Sequence, residues 1–238
     1  MCSVCWQWGG ADDSPLLKVI FNRDEQRTRS IALPPEVIDV ESTQVLMPVD
    51  PARGGTWIAT NQFGLTVALL NKYEVLPEKA KDYASRGHVV RSLSASKDLD
   101  EVEQLLKELT KDNIYPAFSL LIWDLNQKVV KLWSWDEQVL VEKDIELPFF
   151  TSSSWKTSEV QRYRIEAYQD AISGDKAIED FMKTSTSGKE KWSVLMQREK
   201  TRTVSGSEIS LYSGLTEFLY RDYNSNEISE HSLENLLK

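Results

Sequence analysis

The order in which apolar periodicities change along the chain is the feature that most limits its fold. Up to residue 70 the pattern is β-like. Residues 3–8 and 16–21 read as strands around a Gly9-Gly10-Ala11-Asp12-Asp13 turn, and 56–60 and 65–70 as strands joined through Asn61-Gln62-Phe63-Gly64. Proline loops near Pro34-Pro35 and at 48–51 separate these pairs. The middle turns helical, with a short helix at 85–94 and a longer one that Asp98 caps, Glu101 reaching back to it. In that helix Val102, Leu105, Leu106 and Leu109 make one stripe at i, i+3, i+4 and i+7. Strands resume at 117–123, 129–135 and 139–141, and a helix runs from 158 to 172 and on toward Phe181. Strands at 192–197, 208–212 and 217–220 close the series, and Ile228, Leu233, Leu236 and Leu237 suggest a docking helix in the polar tail. With no repeat or linker to divide it, residues 1–238 are expected to form a single layered α+β domain with two sheets.

Composition removes whole classes of function. The formal charge of −9 repels polyanions, so no nucleic-acid partner is expected. The run 117–123 is typical of the apolar stretches and falls far short of the ~20 residues a spanning helix needs, so no transmembrane segment is expected. The N-terminus has no signal-peptide pattern, and a cytoplasmic location is the default. Cys2, Cys5, His88 and His231 are the whole cysteine and histidine complement, too few for a disulfide framework or a closed zinc site. No G-x-S-x-G elbow, Walker A loop, G-x-G-x-x-G or H-E-x-x-H is present. Neither a metal nor a cofactor is called for, and oligomeric state is not legible.

Cys2 is the residue with the most chemistry. If Met1 is removed, one residue carries an α-amine of pKa roughly 7.7–8.0 beside a thiol of roughly 8.5, a nucleophile with its own base. Its structural alternative is a small buried residue on a first strand. On a strand, Cys2 and Cys5 point to opposite faces, which makes Cys5 core rather than a redox partner. Asn22-Arg23-Asp24-Glu25 follows the apolar strand 16–21 directly, so four polar residues emerge where a cleft can open. In a continued strand Asn22 and Asp24 share one face, Arg23 and Glu25 the other. A solvated surface pair is the alternative.

These residues, with Gly54-Gly55-Thr56-Trp57, Asn61-x-x-Gly64-Leu65, Leu69-Leu70-Asn71, Ser85-Arg86-Gly87, Thr151-Ser152-Ser153-Ser154 and Arg202-Thr203-Val204-Ser205, resemble the NRDE family in order along nearly the whole chain. That family is named for the tetrapeptide at 22–25 and includes the transport and Golgi organisation proteins; the serine-rich segment resembles a bacterial branch. The resemblance implies a four-layer αββα N-terminal-nucleophile (Ntn) hydrolase-like sandwich, two antiparallel sheets between helices. By analogy with cysteine Ntn amidases, it implies Cys2 as nucleophile, Arg23 beside the thiolate, Asp24 (or Glu25) at the α-amine, Asn71 as oxyanion donor and Arg202 near the nucleophile. Asn22, Glu25, Trp57, Ser152 and Ser153 would line a site for a small-molecule amide or acyl substrate. Read from residues alone, Trp57 is also a core tryptophan, Asn71 a turn residue and Arg202 part of a solvated hairpin. The amidases space their Arg and Asp differently and have a second asparagine where Ser152 or Ser153 stands here. The relatives also suggest a non-catalytic carrier of haem or lipid-like cargo, with Cys2, His88 or His231 as axial ligand.

Overall fold

A computed structural model describes residues 2–9, 14–75, 77–78 and 81–237. The chain forms β1 (Cys2–Trp8), β2 (Leu17–Gln26), β3 (Leu33–Val40), β4 (Thr43–Val49), β5 (Ile58–Asn61) and β6 (Leu65–Asn71). Helices α1 (Arg86–Leu93) and α2 (Leu99–Asp112) follow, then β7 (Phe118–Asp124), β8 (Val129–Trp135), β9 (Leu140–Lys143) and β10 (Phe149–Ser152). Helices α3 (Thr157–Ser173) and α4 (Ile178–Met182) precede β11 (Thr201–Leu211), β12 (Leu215–Asp222) and β13 (Ile228–Glu234). The strands make two antiparallel sheets, β10-β1-β2-β11-β12-β13 and β3-β4-β5-β6-β7-β8-β9.

Three apolar layers hold the sheets and helices together. Val4, Trp6, Leu17, Val19 and Phe21 meet Leu46, Ile58, Leu70 and Trp123 between the sheets. Val45, Met47, Val67 and Leu69, on the other face of the larger sheet, pack on Val89, Val90, Leu93, Val102 and Leu106 of α1 and α2. Cys5 and Ile20 pack on Tyr168, Phe181 and Met182 of α3 and α4. The result is the αββα sandwich the resemblance implies. It follows from alternation: period-two side chains on each sheet supply two apolar faces, one for the other sheet and one for a helix layer. Cys2 falls in the layer between the sheets and Cys5 in the helix-facing layer, as strand parity requires.

Local chemistry explains the elements that match expectation. Asp98 accepts the Glu101 N–H at 2.9 Å and starts α2, while Glu101 reaches the Lys97 N–H at 2.9 Å, one residue before the cap itself. Asn61 Oδ1 accepts the N–H groups of Phe63 (2.9 Å) and Leu65 (3.1 Å), closing the β5–β6 turn, where Gly64 sits at φ 81°.

Four expectations are corrected. Residues 33–40 form an edge strand paired with 43–49, not a proline loop, and the loop expected at 48–51 begins only after Val49; Pro34 and Pro35 are tolerated because β3 is an edge strand with few ladder bonds to lose. The helix beginning at Thr157 stops at Ser173 before Gly174, and Phe181 belongs to the separate α4. Residues 192–197 form turns rather than a strand, joined to β11 by the Gln197–Arg202 bridge and by the Thr203 N–H on the Met196 carbonyl at 2.9 Å. The tail forms β13 against β12, with Leu233 inward, instead of a helix. Residues 10–13 of the expected first turn lie outside the described residues.

Candidate active site

The β-ladder places the site. Cys2 stands opposite Arg23 on β2 and Ser152 on β10, and Arg23 stands opposite Ser205 on β11. Directly opposed residues of antiparallel strands share a face, so Ser152, Cys2, Arg23 and Ser205 form one row on the face toward the second sheet. Apolar packing between the sheets ends at this row, where a cavity of about 490 Å³ opens; its walls include Cys2, Arg23, Glu25, Asp50, Asn71 and Arg86.

Arg23 is buried at 6% exposure, with its guanidinium 4.3 Å above the Trp57 ring and Nη2 3.4 Å from Asp50 and 3.5 Å from Glu25. Asp50 also accepts from Arg29 at 2.6 and 3.1 Å and from the Ala52 N–H at 3.0 Å. Its own N–H bonds the Gly55 carbonyl at 2.9 Å, and Gly54 at φ 65° supplies the left-handed step this turn needs. Asp50 therefore ties the turn 50–55 to the arginine beside Cys2.

The opposite face of the same strands carries a second polar row. Asp24 points into the helix layer, where its carboxylate accepts from Thr203 Oγ1 at 2.7 Å and lies 3.4 Å from Arg164 Nη2, both side chains fully buried. Arg164 Nη1 donates to Ser3 Oγ and Thr151 Oγ1, both at 3.0 Å. A register shift between Thr203 and Ser205 inserts one residue, which lets Thr203 face Asp24 while Ser205 stays in the Arg23 row. Asp24 lies one register step beyond Cys2, at the end of β1.

Burial pushes the Cys2 thiol above its ordinary value and the Asp24 carboxylate also raises it, while Arg23 pulls it down. Burial likewise raises the Asp24 carboxyl, against the pull of Arg164 and the Thr203 hydrogen bond. The Cys2 backbone nitrogen donates to Ser152 Oγ at 3.3 Å.

The strand carries the Arg23 and Glu25 side chains to the cavity and turns those of Asn22 and Asp24 to the other face, although Asp24 still borders the cavity beside Cys2. Asn22 donates to the Met182 (2.7 Å) and Val194 (3.2 Å) carbonyls, so its amide is spent holding α4 and the 192–197 turns. Trp57 is core and cavity wall at once. Asn71 ends β6 on the cavity wall and donates to Tyr73 Oη at 3.1 Å; its amide has a second N–H to give. Ser153 Oγ donates to the Trp155 carbonyl at 2.7 Å and accepts from Arg198 at 3.2 Å. Arg202, paired with Asn224, stands opposite Glu25 on the ladder and does not line the cavity. Among the described residues no three His, Cys, Asp or Glu side chains gather where they would hold a metal ion.

Three residues of this region have no role that the sequence alone assigns. Asp50 sits between two prolines in what reads as a loop. Arg86 lies within a motif but carries no partner in the sequence. Arg164 falls on the buried stripe Val160-Arg164-Tyr168, and a charge at i+4 within an apolar stripe is the signal that would have found it.

The family model described as Transport and Golgi organisation 2 matches residues 1–231. The chain belongs to this family. No curated protein matches it. Among solved structures, the C2A mutant of the conjugated bile acid hydrolase from Clostridium perfringens superposes with a TM-score of 0.59 at 15% identity, covering 98% of this chain and 92% of the hydrolase. An arginine-to-leucine variant of the same hydrolase gives 0.56 at 15% identity, covering 97% and 92%. The Caenorhabditis elegans N-acylethanolamine-hydrolyzing acid amidase ortholog gives 0.55 at 10% identity, covering 88% and 92%. At these identities the likeness establishes the fold: this member of the family is an Ntn-hydrolase-type sandwich.

The rim of the cavity depends on one close backbone contact. A Cβ on Gly55 would lie 2.7 and 2.8 Å from the carbonyl carbon and Cα of Gly87, in the first turn of α1. Gly55→Ala is expected to push α1 off the rim and cost about 1–3 kcal/mol. Urea denaturation measures it; an unchanged midpoint would show that the contact relaxes freely.

Proposed function

We propose that the chain is an N-terminal-cysteine amidohydrolase acting on the C–N bond of a small or acyl amide. The observation that carries this reading is the row in which Cys2 lies beside Arg23 at a cavity wall, its own backbone nitrogen held by Ser152. Removal of Met1 turns that nitrogen into an α-amine, and the raised thiol makes a neighbouring base necessary. The amine takes the thiol proton, and the sulfur adds to the amide carbonyl carbon. Asn71 Nδ2 and backbone N–H groups hold the oxyanion, worth on the order of 10²–10³ in rate per donor. The α-ammonium then protonates the leaving nitrogen, the C–N bond breaks and a thioester to Cys2 remains. Water, deprotonated by the amine, adds to the thioester carbonyl; the C–S bond breaks, the carboxylic acid leaves, and the ammonium returns its proton to the Cys2 sulfur. Arg23 stabilises the thiolate, and Asp24 or Glu25 holds the ammonium in place. Arg202 is assigned no contact with the reacting atoms.

The carrier reading has less support. The cavity wall is dominated by charged and polar side chains, and of Cys2, His88 and His231 only Cys2 reaches it. His88 Nε2 bonds the Arg53 carbonyl at 2.9 Å and His231 Nε2 bonds Ser229 at 2.9 Å.

A panel of short- and long-chain acyl amides, followed by amine release and by the mass of the N-terminal peptide, tests the proposal. An acyl adduct on Cys2 that forms and decays with turnover is expected; amine release without modification of Cys2 would overturn it.

A further inference from the structure

The charges around the cavity do not balance, although the chain as a whole carries −9. Its walls include Arg23, Arg29, Arg53 and Arg86 against Asp24, Glu25 and Asp50. Asp24 is answered by Arg164 in the helix layer, Asp50 by Arg29, and Glu25 by Arg23. Among the described residues, Arg53 and Arg86 are left without a carboxylate in ion-pair reach.

Arg86 is the more constrained of the two. Its side chain is half-buried, and its one hydrogen bond among the described residues runs from Nη1 to the Ala117 carbonyl at 3.0 Å. A guanidinium offers five N–H donors in a planar fork, so most of its donor capacity is unused within the protein. Burial lowers its pKa, and Tyr73, Cys2 and, more weakly, the Glu25 and Glu137 carboxylates oppose that shift, so its charge is within electrostatic reach of the nucleophile. Taking a charge partly out of water with no carboxylate in direct contact is unfavourable, and a ligand carboxylate at that fork would relieve it. The Gly55–Gly87 contact fixes the backbone next to Arg86, so the guanidinium is presented from a rigid rim.

We propose that Arg86 is a specificity-determining residue that selects substrates bearing a carboxylate near the bond attacked by Cys2. The carboxylate site stands on the charge balance alone; its role in turnover rests on the amidohydrolase reading. The structural alternative is that Arg86 only clips the Ala117 carbonyl, and the two differ in how the cavity treats small anions.

Alkylation of Cys2 separates them. Iodoacetate and iodoacetamide both react when the thiolate sulfur displaces iodide and forms an S–CH2 bond, but only the first carries a carboxylate. Because both need the thiolate, their rate ratio at Cys2 is independent of the thiol pKa. With the full chain at low salt, peptide mass is expected to give an iodoacetate-to-iodoacetamide ratio about tenfold or more above that of glutathione, the gain expected from one charge-assisted pair. Arg86→Gln is expected to return the ratio to the glutathione value, and Arg86→Lys to keep a large part of the preference. A ratio at or below that of glutathione, or one that survives Arg86→Gln, overturns the proposal. Should Arg86→Gln fail to fold, loss of the wild-type preference at high salt is the expected result, and persistence overturns it. A preserved ratio in a protein that hydrolyses no amide removes the amidohydrolase and leaves the carboxylate site. Turnover of neutral amides with a glutathione-like ratio removes the carboxylate site alone.

Discussion

Cys2→Ala is expected to abolish amide turnover, a loss on the order of 10⁴–10⁶ if the nucleophile is the group removed. The fold should survive, because alanine at this position deletes one buried sulfur at a cavity wall and leaves both cross-strand ladders intact. Cys2→Ser keeps the side-chain length and the α-amine but replaces the thiol with a hydroxyl of far higher pKa, so it should fall nearly as far. Asn71→Ala, which removes a single oxyanion donor, should cost only about 10²–10³. That ordering is diagnostic: substitutions at Cys2 and Asn71 that lower turnover equally would mean Asn71 supports the fold of the site instead of the oxyanion. Steady-state rates with any amide from the panel, paired with urea midpoints, provide the comparison.

Arg164→Leu is expected to be the most destabilising single change, costing about 3–5 kcal/mol. Arg164 and Asp24 are both fully buried, and the arginine also bonds Ser3 and Thr151, tying α3 to β1 and β10. Removing it takes the guanidinium, the strongest opposing charge, away from the buried Asp24 carboxylate, which keeps the Thr203 hydroxyl bond. Asp24 then titrates still higher, on top of a value that burial already raises. A folded-state pKa above the unfolded one gives stability that is full below the ordinary aspartate value and is lost as pH rises through the raised value. The deficit of Arg164→Leu should therefore be smallest in acid and grow toward neutrality. Asp24→Asn combined with Arg164→Leu should recover much of the loss, since the buried carboxylate charge goes together with its arginine. Urea denaturation between pH 4 and 8 tests both statements; a pH-independent deficit would show that the lost hydrogen bonds to Ser3 and Thr151, not the charge, set the cost.

The fold was largely legible because alternation is a strong signal. Cys2, Val4 and Trp6 against Ser3 and Cys5 fixes which face of β1 meets which layer. The segments that escaped were weak in the same terms: β3 carries Pro34 and Pro35 on an edge, and β13 turns a single well-buried residue, Leu233, inward. Within the site, parity separated Arg23 and Glu25 from Asn22 and Asp24 correctly, but it could not say which pair faces the cavity. That depends on which sheet lies opposite, a long-range fact. Asp50 and Arg86 were illegible for a related reason, since each acquires meaning only from a partner more than twenty residues away.

Peptide-resolved alkylation of the expressed protein across pH 6–10 tests the central assignment most directly, because it reads the state of the N-terminus and the reactivity of Cys2 in one experiment. Cys5 is the internal reference: it is fully buried in the helix-facing layer, and burial holds its thiol well above the ordinary value. A chain that begins at Cys2, with that thiol reacting below pH 8 and more than about a hundredfold faster than Cys5, is the expected result. A chain that keeps Met1, with Cys2 alkylated no faster than Cys5, would contradict the N-terminal nucleophile outright.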